Sequence, residues 1–266
     1  TSCERSELIT DVQLRMGDML ILQQDYAAAV RAFGKAMDSA NAEDDRAYAL
    51  FRQAFAHVQA DNPTEAAKKY DRLLAEYPTS NYATDAILAS AQSTYRSGNI
   101  NEAATRFRKV MDQNNLVAAT EAAHWLARIE INRNRPAEAI QITRAQIGRG
   151  LKGRFAIDLQ LDFAEALSMQ PKALEESMKE FERIYRENLD STLAPRALYN
   201  AAFSALQLQN PRKALSLALE FIKRFPTKVC RRDRRRCSRG RANFIFYSRL
   251  DFIFDFDIRA SLWKGK

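Results

Sequence analysis

Residues 47–78 read AYALFRQAFAHVQADNPTEAAKKYDRLLAEYP, and the reading of this stretch decides the fold. Leu50, Ala54, His57 and Val58 recur at three- and four-residue steps, the period of one helix face. Asp61-Asn62-Pro63 interrupts them, and Ala66, Tyr70, Leu73 and Leu74 resume the same period. Pro63 suits the first turn of a second helix, where its missing N–H leaves no bond unmade, and Pro78 ends that helix. The unit is a helix, a tight turn and an antiparallel helix.

This unit recurs along the chain. Anchored on the small residue of the second helix, the copies start at Ala29, Ala66, Ala103, Ala139, Ser177 and Ala214, in steps of 37, 37, 36, 38 and 37 residues. Four positions further on stand Phe33, Tyr70, Phe107, Thr143, Phe181 and Ala218, so the aromatic holds in four copies and lapses in two. Twelve positions before the anchor stand Gly17, Ala54, Ala91, Ala127, Glu165 and Ala202. Small residues that face each other let the two helices of a hairpin touch, while the aromatic fills the gap towards the next hairpin. These positions are read as the core that defines the repeat.

The spacing and residue types resemble the tetratricopeptide repeat, whose pattern puts a bulky and then a small residue on the first helix, Ala and an aromatic on the second, and Pro at the end. Leu50, Ala54, Ala66, Tyr70 and Pro78 fill those places in order. The resemblance implies an all-α fold: a right-handed α-solenoid of about six helical hairpins over residues 8–227, after a flank at 1–7 and before an irregular tail at 228–266. Glu76-Tyr77-Pro78-Thr79-Ser80, then Tyr82-Ala83 and Ala86, with an echo at Arg224-Phe225-Pro226-Thr227, is similar to the junctions of bacterial envelope members of the family. The Tol-Pal coordinator and the outer-membrane assembly lipoproteins are of that kind. A periplasmic or envelope scaffold is the expectation from that phrase, with a cytoplasmic one as the alternative.

The hairpins are placed from the periodicity and the turns. Their helices run from Leu8 to Gln23 and Tyr26 to Ala40, Asp44 to Ala60 and Pro63 to Tyr77, and Thr84 to Arg96 and Ile100 to Gln113. The remaining three take Ala118 to Asn132 and Pro136 to Ile147, Phe155 to Met169 and Lys172 to Asn188, and Pro195 to Gln209 and Pro211 to Phe225. Proline stands at or near the start of a second helix at Pro63, Pro136, Pro171 and Pro211.

The net charge of +8 suggests nucleic acid only until it is located. Residues 228–266 hold twelve Lys and Arg against four Asp, which is the whole surplus, and residues 1–227 carry 29 basic and 29 acidic side chains. A basic groove for phosphate backbone is therefore not supported in the repeats. The tail, with Cys230, Cys237 and the run FIFYSRLDFIFDFDI, breaks the repeat and is read as disordered or out of frame. Binding of nucleic acid or an anionic surface through its arginines is the alternative. No apolar run approaches the roughly 20 residues that span a membrane.

No catalytic constellation is found, and no cofactor, metal site or small-molecule substrate is expected. Gly148, Gly150 and Gly153 spell the dinucleotide fingerprint, but they follow a helix rather than a strand and are read as a helix stop. Cys3, Cys230 and Cys237 lack zinc spacing, and Cys3 would be a lipid acceptor only behind an apolar signal segment. His57 and His124 stand on first helices of different hairpins with no nucleophile or metal partner at a meaningful spacing.

What remains is the surface of the first helices, where the family resemblance implies that one stripe faces the partner. Carried onto this chain the stripe holds Asp11, Leu14 and Asp18, then Tyr48, Phe51 and Phe55, then Asp85, Leu88 and Gln92. It continues with Glu121, His124 and Arg128, then Leu159 and Asp162, and ends with Arg196, Tyr199 and Phe203. Aromatics at both ends with mixed charge between suit an extended or helical peptide. Members that grip a C-terminal carboxylate use Lys and Asn on this stripe, and neither occurs there in this chain. The expectation is a scaffold that binds a protein or peptide segment, set against the alternative that these aromatics only pack on neighbouring hairpins.

Overall fold

The computed structural model describes residues 2–226, with side chains from residue 7 onward, so the readings of Cys3 and of the tail at 228–266 lie outside the described residues. Among these there are twelve α-helices and one 3₁₀ turn, and no strand. In hairpin order they are α1 (Ser2–Leu22) and α2 (Tyr26–Ser39), α3 (Glu43–Gln59) and α4 (Pro63–Glu76), and α5 (Ala83–Arg96) and α6 (Ile100–Met111). Then come α7 (Leu116–Asn132) and α8 (Pro136–Arg149), α9 (Ala156–Ser168) and α10 (Leu174–Glu187), and α11 (Ala194–Gln207) and α12 (Pro211–Arg224). From α1 to α11 each helix packs on the one before it, and α7 also touches α9. The fold is an all-α solenoid of repeated hairpins.

Helix ends fall within two residues of the sequence reading except at the start of α1. The first helix begins at Ser2 rather than at Leu8. The second helix of the fifth hairpin begins at Leu174 rather than at Lys172, because Pro171–Ala173 form a 3₁₀ turn.

Five of the six hairpins turn in the same way. Gln24, Asp61, Gly98, Asn134 and Gln209 all have positive φ, between 53° and 86°. The amide of each reaches the carbonyl three residues back, and the next amide reaches five back, as in Asp61 to Val58 and Asn62 to His57. This Schellman closure satisfies the carbonyls left open at the end of the first helix. The residue that completes it then opens the second helix: Asp25, Asn62 and Asn210 accept from the amides of Ala28, Glu65 and Lys213. The fifth hairpin has no left-handed residue, and the 3₁₀ turn at Pro171 takes its place.

Small residues set the closeness of the hairpins. A Cβ built on Gly17 would lie 2.5 Å from Cε1 of Phe33, so the ring occupies the space a side chain would need. The same pairing puts Ala54 with Tyr70, and Ala91 with Phe107, in single buried clusters. Ala29, Phe33, Ala54, Ala66, Ala91, Ala103, Phe107, Ala127 and Ala139 are fully buried, and Tyr70, Phe181 and Ala202 nearly so. Burial holds the Tyr70 hydroxyl up at about 12. Where the pattern lapses, polar atoms turn inward to backbone: Thr143 Oγ1 donates to Ala139 O and Ser177 Oγ to Ala164 O, each at 2.8 Å. Ala214, read as core, is only half-buried, because no later helix of the described residues covers α12. On α1, Leu8, Val12, Met16 and Met19 are likewise exposed.

Two substitutions weigh helix propensity against packing. Gly17→Ala gains about 1 kcal/mol of helix propensity but forces a methyl onto a fully buried ring, and overpacking of that kind costs about 1–3 kcal/mol. The expected result in urea melts is net destabilisation. Gln24→Gly relieves a left-handed glutamine at an exposed turn and is expected to stabilise the chain by roughly 0.5–1 kcal/mol. A more stable Gly17→Ala variant would contradict the close approach.

A groove along the first helices

The predicted stripe is placed by the i, i+3, i+4 geometry of α1, α3, α5, α7, α9 and α11. Its side chains join each first helix to the next. Between α1 and α3, Asp18 accepts from the Tyr48 hydroxyl at 2.9 Å and from Arg52 at 2.7 Å, and Arg52 also lies over the rings of Phe33 and Phe55. Burial first, and Asp18 second, raise the Tyr48 pKa. Tyr82, which caps α5, contacts Tyr48 at 5.4 Å and stacks on Phe51 at 5.5 Å. From α5, Gln92 Nε2 donates to Glu121 of α7 at 2.6 Å, and Tyr95 meets Trp125 at 5.3 Å.

Between α7, α9 and α11 the links run through polar and charged side chains. His124 Nδ1 lies 2.5 Å from Asp162 Oδ2, and Arg128 donates to Glu165 at 2.8 Å while standing 3.5 Å from Asp162. Arg196 of α11 shares the same Glu165 oxygen at 2.8 Å. Asp162 is 1% exposed, and burial holds its carboxyl above the usual carboxylate range, while His124 and then Arg128 pull it back only in part. On the far side His124 stacks on Phe155 at 5.0 Å, with Arg154 over that ring at 4.7 Å. Among the described residues no three His, Cys, Asp or Glu side chains converge as metal ligands would.

One part of the stripe is open. Between α3, α5 and α7 a recess of about 400 Å³ has Phe51, Phe55, Val58 and Leu88 on its floor. Asp85, Gln92, Arg96, Glu121 and Arg154 form its rim. Phe51 and Phe55 are half-buried and Asp85 is exposed. The structure thus brings together six residues of the stripe, Phe51, Phe55, Asp85, Leu88, Gln92 and Glu121. Tyr48, His124, Arg128 and Arg196 belong to the links between helices instead. Tyr199 and Phe203 stack on each other at 6.5 Å on α11, and Tyr199 is only 6% exposed, with Phe221 against its ring.

Sequence reasoning missed Arg52, Tyr82, Trp125, Arg154, Phe155 and Glu165. The signal that reaches some of them is the separation of partners across a repeat: 34 residues for Asp18 and Arg52, 38 for His124 and Asp162, 37 for Arg128 and Glu165, and 31 for Glu165 and Arg196. In these pairs a side chain on the stripe finds its partner about one repeat away, not on its own hairpin.

Stacked antiparallel hairpins whose first helices share one continuous surface define an α-solenoid of the scaffold class. The family model of the tetratricopeptide repeat-like domain matches residues 39–176, and a model of the single tetratricopeptide repeat matches residues 196–228. The chain belongs to the tetratricopeptide repeat family, whose fold serves protein–protein interaction. No curated protein matches it.

Solved structures share the fold. PilF of Pseudomonas aeruginosa is 14% identical with a TM-score of 0.58, covering 84% of this chain and 94% of its own. A tetratricopeptide repeat protein of Parabacteroides merdae is 13% identical with a TM-score of 0.61, covering 82% and 80%. YrrB, described as a tetratricopeptide repeat protein with an unusual peptide-binding site, is 19% identical with a TM-score of 0.55, covering 75% and 95%. No helix of the described residues is long and apolar enough to cross a membrane.

The buried carboxyl of Asp162 makes stability depend on pH with a definite sign. Its folded pKa stands above the unbound value of 3.8, so the folded chain holds the proton more tightly. That contribution is present below pH 3.8 and is lost as pH rises through the folded pKa. The stability of the unmodified chain relative to Asp162→Asn is therefore expected to fall as pH is raised from about 4, read by urea melts at successive pH values. A difference that grows with pH would contradict burial as the leading influence on this carboxyl.

Proposed function

We propose that the chain is a non-catalytic scaffold that holds a peptide or protein segment along its first helices, seated in the recess between α3, α5 and α7. The observation that carries this reading is the contrast along the stripe. Elsewhere most of its polar and aromatic side chains are engaged, Asp18, Tyr48, His124, Arg128 and Arg196 across neighbouring hairpins and Asp11, Tyr199 and Phe203 within their own, but at the recess Phe51, Phe55 and Leu88 stay partly open beside a polar rim. An apolar floor with a polar rim is what a bound side chain needs to leave water without stranding its backbone. The balance of charge over residues 1–227 supports a protein partner over a phosphate backbone. The junction phrase at Glu76–Ser80 supports a bacterial envelope setting, as a resemblance only.

The test is a random nonapeptide display library selected on the full chain, with the enriched peptides measured by calorimetry. Phe55→Ala and Leu88→Ala are each expected to weaken binding about tenfold, the loss typical of a truncated anchor contact. Arg183→Ala, on α10, is expected to leave it unchanged. Enriched peptides that bind Phe55→Ala and Leu88→Ala as tightly as the unmodified chain would overturn the assignment.

A further inference from the structure

The recess is lined by four charged side chains, Asp85, Arg96, Glu121 and Arg154, and three of them are already matched. Arg96 donates to Asp61 at 3.0 Å. Arg154 donates to Glu121 at 3.3 Å and rests on the Phe155 ring, and Glu121 also accepts from Gln92. Asp85 is exposed, and no described side chain pairs with it. Its carboxylate is the one uncompensated charge of the lining. It stands in the first turn of α5, one turn from Leu88 on the same helix face.

We infer that the segment held here presents a lysine or arginine, its methylene stem lying on Leu88 and Phe55 and its cationic head meeting Asp85. The inference rests on the groove reading above. A single long cationic side chain satisfies both halves of the site, because its stem buries apolar surface while its head remains at the wet rim. An acidic segment would meet Asp85 with like charge, and the two arginines of the lining, Arg96 and Arg154, already hold Asp61 and Glu121.

The first turn of a helix also favours a carboxylate without any ligand. Binding distinguishes the two roles, since a purely local role changes melting and not selectivity. The probe is the same random nonapeptide display library on the full chain, with Asp85→Asn and Asp85→Lys variants alongside. Peptides enriched on the unmodified chain are expected to carry Lys or Arg next to Leu, Met or an aromatic. Asp85→Asn is expected to weaken them about fivefold, the upper range for an exposed ion pair, and Asp85→Lys to shift the enriched set towards Asp and Glu.

Peptides without a cationic preference that still lose binding in Phe55→Ala would overturn the inference and leave the groove in place. A cationic preference unchanged by Asp85→Lys would overturn the role of Asp85. No enrichment, or enriched peptides indifferent to Phe55→Ala, would overturn the groove and this inference together.

Discussion

The first three hairpins of this chain close where a side chain of one carbon or none faces the opposite ring. Gly17 against Phe33 is the extreme case, with no room for a methyl group, and Ala54 beside Tyr70 and Ala91 beside Phe107 repeat it with one carbon. The dispersion gained by such close contact is spread over many atoms and is lost if the helices stand off. Because each hairpin buries its ring partly against the next, stability is distributed along the row instead of residing in one centre. The two ends show the corollary, in the exposed apolar face of α1 and the half-buried Ala214 of α12.

Holding the hairpins this close brings the first helices side by side, where side chains of the facing stripe meet. Most of it joins neighbours: Asp18 to Tyr48 and Arg52, His124 to Asp162, and Glu165 to both Arg128 and Arg196. Part-exposed ion pairs of this kind each add on the order of 0–1 kcal/mol, so they set register more than they add strength. Asp162 differs, since it is almost wholly buried and depends on His124 and Arg128 to be tolerated there. Where the α3, α5 and α7 side chains leave a gap, the apolar floor of the recess stays partly open.

Much of the architecture could be read from the sequence because its causes are local. Helix period, the prolines that open second helices and the steps of 36 to 38 residues place all twelve helices within a few residues. The turn chemistry was less legible: Gln24 and Gln209 adopt a left-handed conformation that their residue type does not advertise, and only the repetition of the closure exposes it. The site was legible in part. Phe51, Phe55 and Asp85 lie where the family pattern implies, but whether a stripe residue is open or engaged depends on side chains a whole repeat away. That is why Tyr199 proved buried and why the His124–Asp162 pair shows only when positions one repeat, here 38 residues, apart are set side by side.

Hydrogen exchange on the full chain, with and without a saturating nonapeptide selected from the display library, tests most directly whether the recess is where a partner is held. The account predicts that the bound peptide slows exchange in α3, α5 and α7 while α10 and α12 exchange as before. Protection confined to helices outside the recess would contradict it.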